Sequence, residues 1–321
     1  MPARRQGDRA GVPDVQRWTV DALTRLVQII HPDYGRRVAL VNGDELHLLS
    51  TYRTAYDFAT AAVETGQKLR EILSTDLSGI VLDYCEVYAL RSGWRFLPSF
   101  DHPEHTACCL VSGCANAHGI PQDAAPAAPP WFTKGNGMHL RAHGEPLTIP
   151  AFALGGAEEA ELAAIYLIGA DGVPRRVGLT AGNEFADPAM PLEDARLLSR
   201  AKLRNCAIGP ELTLDAEFQD VAGSVAVERN GAVLWSKEIR TGEKHTTFRL
   251  EQIEQHHFEF EAHRVPGDVH VHFLGGSVSS YGDGVVLDEG DQVVIQWEGF
   301  GRPLRNRIER DPAAAHSVKS L

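Results

Sequence analysis

Paired cysteine is what this chain lacks most plainly. Its 321 residues hold Cys85, Cys108, Cys109, Cys114 and Cys206, an odd number with two of them adjacent. That excludes a disulfide framework and points to reduced thiols in the cytoplasm. Cys108, Cys109 and Cys114 with His105 could form a metal cluster, but the spacing is irregular and no second CxxC or HxxxH follows. Buried small apolar residues are the plainer reading. Basic charge is also in deficit, with 31 Lys and Arg against 43 Asp and Glu, a net charge of −12. The basic residues are scattered, and nucleic-acid binding needs them clustered, so no nucleic-acid partner is expected. No apolar stretch reaches the ~18 residues of a membrane span, and the start carries no apolar signal-peptide core, so neither membrane nor secretion is expected. No internal repeat is evident.

What is present is a large apolar content, 43%, enough for a substantial core. Four segments are expected: a disordered stretch 1–15, an α/β module 16–105, a mostly β domain 106–310 and a loose tail 311–321. Val20, Leu23, Val27 and Ile30 recur at helical spacing and predict a helix. RVALVNGDELHLL (37–49) reads as a hairpin around Asn42-Gly43. Residues 53–74 read as a helix with Phe58, Ala62, Leu69 and Leu73 inward. Pro98 and Pro103 bracket a linker, and the Ala/Pro run 121–130 is a loop. Beyond residue 106 short strands dominate, with hairpin turns at Asp171-Gly172 and Asn230-Gly231. Helices interrupt only around 191–201 and 246–257.

The most informative segment is Glu159-Ala160-Glu161, at the head of the apolar run LAAIYLIG. In a strand, side chains at i and i+2 point to one side, so these carboxylates converge. Like charges held together need a proton or a cation between them. A third carboxylate from Gly182-Asn183-Glu184 would complete an all-oxygen site suited to a hard divalent ion. The alternative is a solvated acidic turn, GGAEEAE, ahead of a strand.

The order of segments settles which reading to pursue. WFTKGNG (131–137), EEAELAAIYLIG (158–169), GNEFAD (182–187), AKLRNCAIGPEL (201–212), PGDVHVHFLGG (266–276) and EGDQVVIQWEGFGRPLRN (289–306) follow one another. This succession resembles the fumarylacetoacetate hydrolase superfamily over residues 106–306. HGEPL, SRAKLRNCAIGPEL, LWSKEIRTGE and PGDVHVHF look most like a bacterial subgroup of sugar-acid, typically pentose, breakdown. With the α/β module of residues 16–105 this makes an α+β fold, and the resemblance implies that the domain 106–310 is a large, mostly β roll, often a homodimer.

It also implies a site. Glu159 and Glu161 match the E-x-E metal pair. The third ligand matches Glu184, where many family members have Asp, and Asp187 competes for the role. The implied cofactor is Mg2+, with Mn2+ or Ca2+ as substitutes. Lys202 matches a lysine near substrate oxygens and becomes the candidate base or proton relay, against an ordinary surface lysine between Arg200 and Arg204. Lys134, in the F-x-K segment, is a candidate for the substrate carboxylate, or else a turn lysine. Ser277 falls near a substrate-binding position, but in GGSVSSYGDG it is not separable from Ser279 and Ser280. His270 and His272 lie either beside the site or in half-buried structural positions. The C–C hydrolases of the family carry a His followed three residues later by Glu. Here the match is His118, with Pro121 three residues on. That departure disfavours hydrolysis and favours a Mg2+-dependent dehydratase of a 2-keto-3-deoxy sugar acid, with His118 as a candidate acid. The runners-up are a 2,4-diketo acid C–C hydrolase and a weakly catalytic relative that binds metal and a 2-oxo acid.

Overall fold

The computed structural model describes residues 23–115, 128–312 and 317–321. Three antiparallel strands come first, β1 (Arg25–His31), β2 (Gly35–Asn42) and β3 (Glu45–Leu49). Helices α1 (Ala55–Thr65) and α2 (Leu69–Thr75) follow, then β4 (Leu77–Asp83), α3 (Tyr84–Tyr88) and β5 (Arg95–Phe96). Next are β6 (Cys109–Cys114), β7 (Trp131–Asn136), β8 (Leu140–Arg141) and β9 (Leu147–Ile149). The hairpin of β10 (Ala160–Ile168) and β11 (Pro174–Asn183) leads through α4 (Ala189–Glu193) and α5 (Leu198–Lys202) into β12 (Cys206–Thr213). A second hairpin, β13 (Val221–Arg229) and β14 (Ala232–Thr241), precedes α6 (Leu250–Phe258) and β15 (Val269–Phe273). The strands β16 (Gln292–Trp297) and β17 (Leu304–Arg310) close the fold. This is the α+β, mostly β architecture expected from the sequence.

Two sheets carry the structure. The larger runs β4-β3-β2-β1-β12-β11-β10-β15-β6-β7, and the smaller runs β14-β13-β16-β17-β9. The β1–β12 pairing joins the N-terminal strands to the large sheet, with Arg25 opposite Thr213. At its centre β10 is buried along its whole length. Leu162, Ala164 and Tyr166 enter the core shared with the small sheet and α6. Ala163, Ile165 and Leu167 enter the core covered by α1 and α2. A strand buried on both faces reads as a continuous apolar run, which is what LAAIYLI is.

The three expected hairpins form. At Asn230-Gly231 both turn residues take positive φ, 53° and 77°, the demand of a tight two-residue turn that Asn-Gly meets at little cost. The expected N-terminal helix does not form among the described residues, because Arg25–His31 is a strand. Leu26 faces one core while Val27 and Ile29 face another, so burial on both faces imitates helical spacing. The helix expected over 53–74 is two. Thr54 caps α1 by accepting from Asp57 N (3.0 Å), and Gly66 at φ 68° ends it. Phe58, Ala62 and Leu73 are buried as expected, and Leu69 is partly so. The expected disordered stretch 1–15 lies outside the described residues. Of the tail, residues 317–321 are exposed and without regular structure. No helix among the described residues is long and apolar enough to cross a membrane.

Candidate metal centre

The β10–β11 hairpin builds the acidic site. Glu159 and Glu161 head β10 two residues apart. Asn183 pairs with Ala160 and Gly182 with Glu161, and Glu184 N donates to Glu159 O (3.0 Å). That register sets Glu184 directly across from Glu159, and residues opposite each other in an antiparallel pair share a face. Carboxylate oxygens of Glu159, Glu161 and Glu184 lie within 4.8 Å of one another. Among the described residues this is the one group with the donors and spacing of a cation site.

Two lysines answer the three carboxylates. Lys202, at the end of α5, donates to Glu159 Oε1 (2.6 Å) and to Glu184 Oε2. Its ammonium lies 4.8 Å from the centroid of the Phe132 ring. Burial alone would pull this amine down, but Glu159 and Glu184 outweigh it and hold it well above the usual lysine range. Here Lys202 is a charged bridge between the two carboxylates. Lys134 is wholly buried and donates to Glu184 Oε1 (2.5 Å), Glu184 O (3.0 Å), Phe185 O (2.8 Å) and Lys202 O (3.0 Å). Its three protons are fully engaged, so its place is behind Glu184 rather than in front of a substrate carboxylate. The alternation of β7 explains the pair: Phe132 and Lys134 are the buried residues at i and i+2.

The electrostatics are uneven. Burial, then Glu184 and Glu159, push the Glu161 carboxyl well above the carboxylate range, with Lys202 opposing. Burial also raises Glu159 despite Lys202. Burial works to raise Glu184 as well, but Lys134 and Lys202 prevail and hold it low. A site with three oxygen donors, negative charge in excess and a lysine ammonium already bridging two of them fits a hard divalent cation. Mg2+ accepts such ligands at ~2.0–2.1 Å and keeps further positions for water or substrate.

The remaining candidates sort by geometry. Asp187 is buried, and its oxygens accept from Leu154 N (2.9 Å), Gly155 N (3.3 Å), Ala189 N (3.1 Å), Met190 N (3.3 Å) and Arg204 Nη2 (3.4 Å). It organises the turns around α4, and the triad takes Glu184 instead. Of the three serines, Ser280 is buried against Glu158, Ser279 accepts from Tyr281 N (3.3 Å), and Ser277 is exposed. Ser277 follows Gly276, whose Cβ position lies 3.3 Å from Glu161 Oε1 and 3.5 Å from Glu159 Cβ. Of the three it is the one whose chain neighbour packs against the triad. His118 lies outside the described residues.

His270 and His272 join a separate buried network. The Trp131 indole donates to His257 Nδ1 (3.1 Å). An indole only donates, so the His257 proton sits on Nε2 and is given to His270 Nδ1 (2.9 Å). His272 is bonded to Ser112 Oγ (2.8 Å) and Cys114 Sγ (3.3 Å). Burial keeps His270 and His272 neutral, each lowered to about 3. The cysteines form no metal cluster among the described residues. Cys109, Cys114 and Cys206 are buried free thiols, and burial lifts Cys114 and Cys206 to about 12. Sequence reasoning did not single out two contributors: Phe132, whose ring lies under the Lys202 ammonium, and Glu158, whose carboxylate accepts from Ser280 N and Oγ.

No protein-family model and no curated protein matches the chain by sequence. Solved structures do share its fold. A 2-keto-3-deoxyarabinonate dehydratase superposes with TM-score 0.70 at 16% identity, over 90% of this chain and 100% of that one. A 2-keto-3-deoxy-D-arabinonate dehydratase complexed with magnesium and 2,5-dioxopentanoate gives 0.69 at 17% identity, with coverage of 90% and 100%. A 5-carboxymethyl-2-hydroxymuconate delta-isomerase from Mycobacterium smegmatis gives 0.61 at 20% identity, with coverage of 89% and 100%. The chain has the fold of these enzymes along nearly its full length.

Proposed function

We propose that this chain is a member of the fumarylacetoacetate hydrolase superfamily that acts as a divalent-metal-dependent dehydratase of a 2-keto-3-deoxy sugar acid. The favoured substrate is a 2-keto-3-deoxypentonate and the product 2,5-dioxopentanoate, the semialdehyde of 2-oxoglutarate. One observation carries the reading: three carboxylates closed by Lys202, on the fold of a dehydratase seen with magnesium and that same dioxo acid.

Glu159, Glu161 and Glu184 would hold the ion. When bound, it would supply positive charge that stabilises the enolate of a 2-oxo acid. The chain's own residues then handle protons. Lys202, pushed toward its neutral form by the like charge of a bound cation, would take a proton from C3. As ammonium it returns that proton to the C4 hydroxyl, which leaves as water and leaves a C3–C4 double bond. His118 is the other candidate for that acid. Two hydrogens then move from the C5 carbinol, one from carbon and one from oxygen, to C3 and C4, giving the aldehyde. The Phe132 ring keeps one side of the Lys202 amine out of water, and Lys134 fixes Glu184 from behind. Ser277, exposed next to Gly276, is the candidate for a substrate oxygen. Glu161, drawn toward its protonated form by burial, is the ligand whose charge depends most on a cation arriving.

The test is an NMR-monitored incubation with Mg2+ and a panel of 2-keto-3-deoxypentonates and 2,4-diketo acids, beside Glu161→Ala. A metal-dependent aldehyde signal, lost in Glu161→Ala, is the expected result. Pyruvate with a second acid would assign the C–C hydrolase instead. Oxo-acid binding without turnover of any candidate would leave a binding protein.

A further inference from the structure

We propose that Glu158 is a positioning residue that fixes the 275–281 loop as one wall of the substrate site; this rests on the functional reading above. Glu158 is fully buried, yet no cation pairs with it among the described residues. Its carboxylate accepts from Ser280 N (2.6 Å) and Ser280 Oγ (2.8 Å), a residue 122 positions away. A buried carboxylate without a counter-ion is costly, so a site that keeps one and satisfies it with a single loop residue uses it to hold that loop.

What the loop touches gives the anchor its purpose. Leaving β15, Leu274 N donates to Leu162 O (3.0 Å) and Gly275 N donates to Glu161 Oε2 (2.7 Å). Gly276 then passes so close to Glu161 and Glu159 that an added Cβ would stand 3.3–3.5 Å from their side chains. Ser277 follows and is exposed, Val278 packs on the core, and Ser280 reaches Glu158. Residues 276–279 are thus pinned at both ends by carboxylates of one run, Glu158-Glu159-Ala160-Glu161. Alternation sends Glu158 to the opposite side from Glu159 and Glu161. The same four residues therefore hold the cation site and the loop that overhangs it. A wall fixed in this way contributes to binding the substrate equally before and during reaction, which places its effect in KM.

The test compares Glu158→Ala, Glu158→Gln and Ser280→Ala by hydrogen exchange of the metal-free protein, Mn2+ affinity by electron paramagnetic resonance, and steady-state kinetics. In Glu158→Ala the Ser280 amide is expected to exchange at least ~10-fold faster. KM for the 2-keto-3-deoxypentonate should rise about ten-fold, while kcat and the Mn2+ Kd stay within about two-fold. Glu158→Gln should restore KM to within about three-fold, because its amide oxygen accepts from Ser280 N–H and its amide nitrogen donates to Oγ. If Glu158→Ala does not fold, Ser280→Ala removes only the hydroxyl bond and should raise KM about three-fold. Unchanged Ser280 exchange, unchanged KM, or a Mn2+ Kd that rises with KM would each overturn the proposal. Should the parent protein turn over no 2-keto-3-deoxy acid, the functional reading fails separately. The loop role is then read from calorimetry of oxalate binding to the Mn2+-loaded protein. Weaker binding in Glu158→Ala supports it, and equal binding overturns it.

Discussion

Lys134→Met separates two roles that one lysine could have, and the structure predicts which is lost. The ammonium is fully buried and serves the Glu184 carboxylate and three backbone carbonyls, those of Glu184, Phe185 and Lys202. Methionine fills a similar volume and donates nothing. It leaves one buried carboxylate short of a partner and three carbonyls without this donor. Breaking a buried ion pair from one side costs about 3–5 kcal/mol, because the remaining charge is uncompensated. For a chain of this size ~2 °C of melting temperature accompanies each kcal/mol, so a fall of roughly 6–10 °C is expected in the metal-free protein. Lys134→Met with Glu184→Gln should melt higher than Lys134→Met alone, since the stranded charge is gone. Lys134→Arg should not rescue, because a planar fork cannot point at four acceptors converging on one nitrogen. Differential scanning fluorimetry of the four proteins decides the matter. If Lys134→Met melts within ~1 °C of the parent and loses only substrate affinity, the reasoning fails and the lysine is a substrate ligand.

Two further predictions follow from the same geometry. Lys202→Met removes the bridge between Glu159 and Glu184, so the metal-free protein should melt lower while saturating Mg2+ raises its melting temperature by more than in the parent; equal rises would refute the idea that ammonium and cation compete for these oxygens. His270 and His272 are held neutral, each at about 3, against ~6.5 in the unfolded chain. Their contribution to stability is fully present above ~6.5 and is lost as pH falls toward ~3, at up to ~1.4 kcal/mol per pH unit for each. Melting between pH 7.5 and 5.5 should therefore fall more steeply in the parent than in His270→Gln, whose amide oxygen still accepts from His257; parallel slopes would show that these rings are not the groups taking up protons.

Much of the site was legible because its chemistry is local. Glu159 and Glu161 share a strand two residues apart, and the Asp171-Gly172 turn folds the Glu184 segment back onto them. The exact facing was not legible. Near the turn, Tyr166 pairs with Arg176, and that register carried onward would set Glu184 across from Glu158. A shift between Ile165 and Tyr166 moves the pairing by one residue, so Asn183 meets Ala160 and Glu184 faces Glu159. One residue of slip exchanges the faces of a strand. Without this irregularity Glu184 would point to the side of Glu158, and the triad would not close. The run LAAIYLI is apolar on both faces, so nothing in it marks where the shift falls.

The roles of the lysines and of Glu158 were hidden for a related reason. A buried polar side chain is defined by its partner, and these partners are remote: 50 residues from Lys134 to Glu184 and 122 from Glu158 to Ser280. Composition does not help either, since Arg200, Lys202 and Arg204 look alike as a basic patch. In the fold they part company. Arg200 lies outside over Phe152, Arg204 turns to Asp187, and Lys202 alone reaches the carboxylates. The distinction comes from the end of a five-residue helix, where the backbone turns away and the last residue is left facing Glu159 and Glu184. The helix is in turn tied down by Lys134, which donates to the Lys202 carbonyl as well as to Glu184. One buried lysine thus sets both the third carboxylate and the lysine that faces it. For that reason Lys134→Met should disturb the orientation of Lys202 and Glu184 together, and a double-mutant cycle between Lys134→Met and Lys202→Met should show coupling rather than additivity.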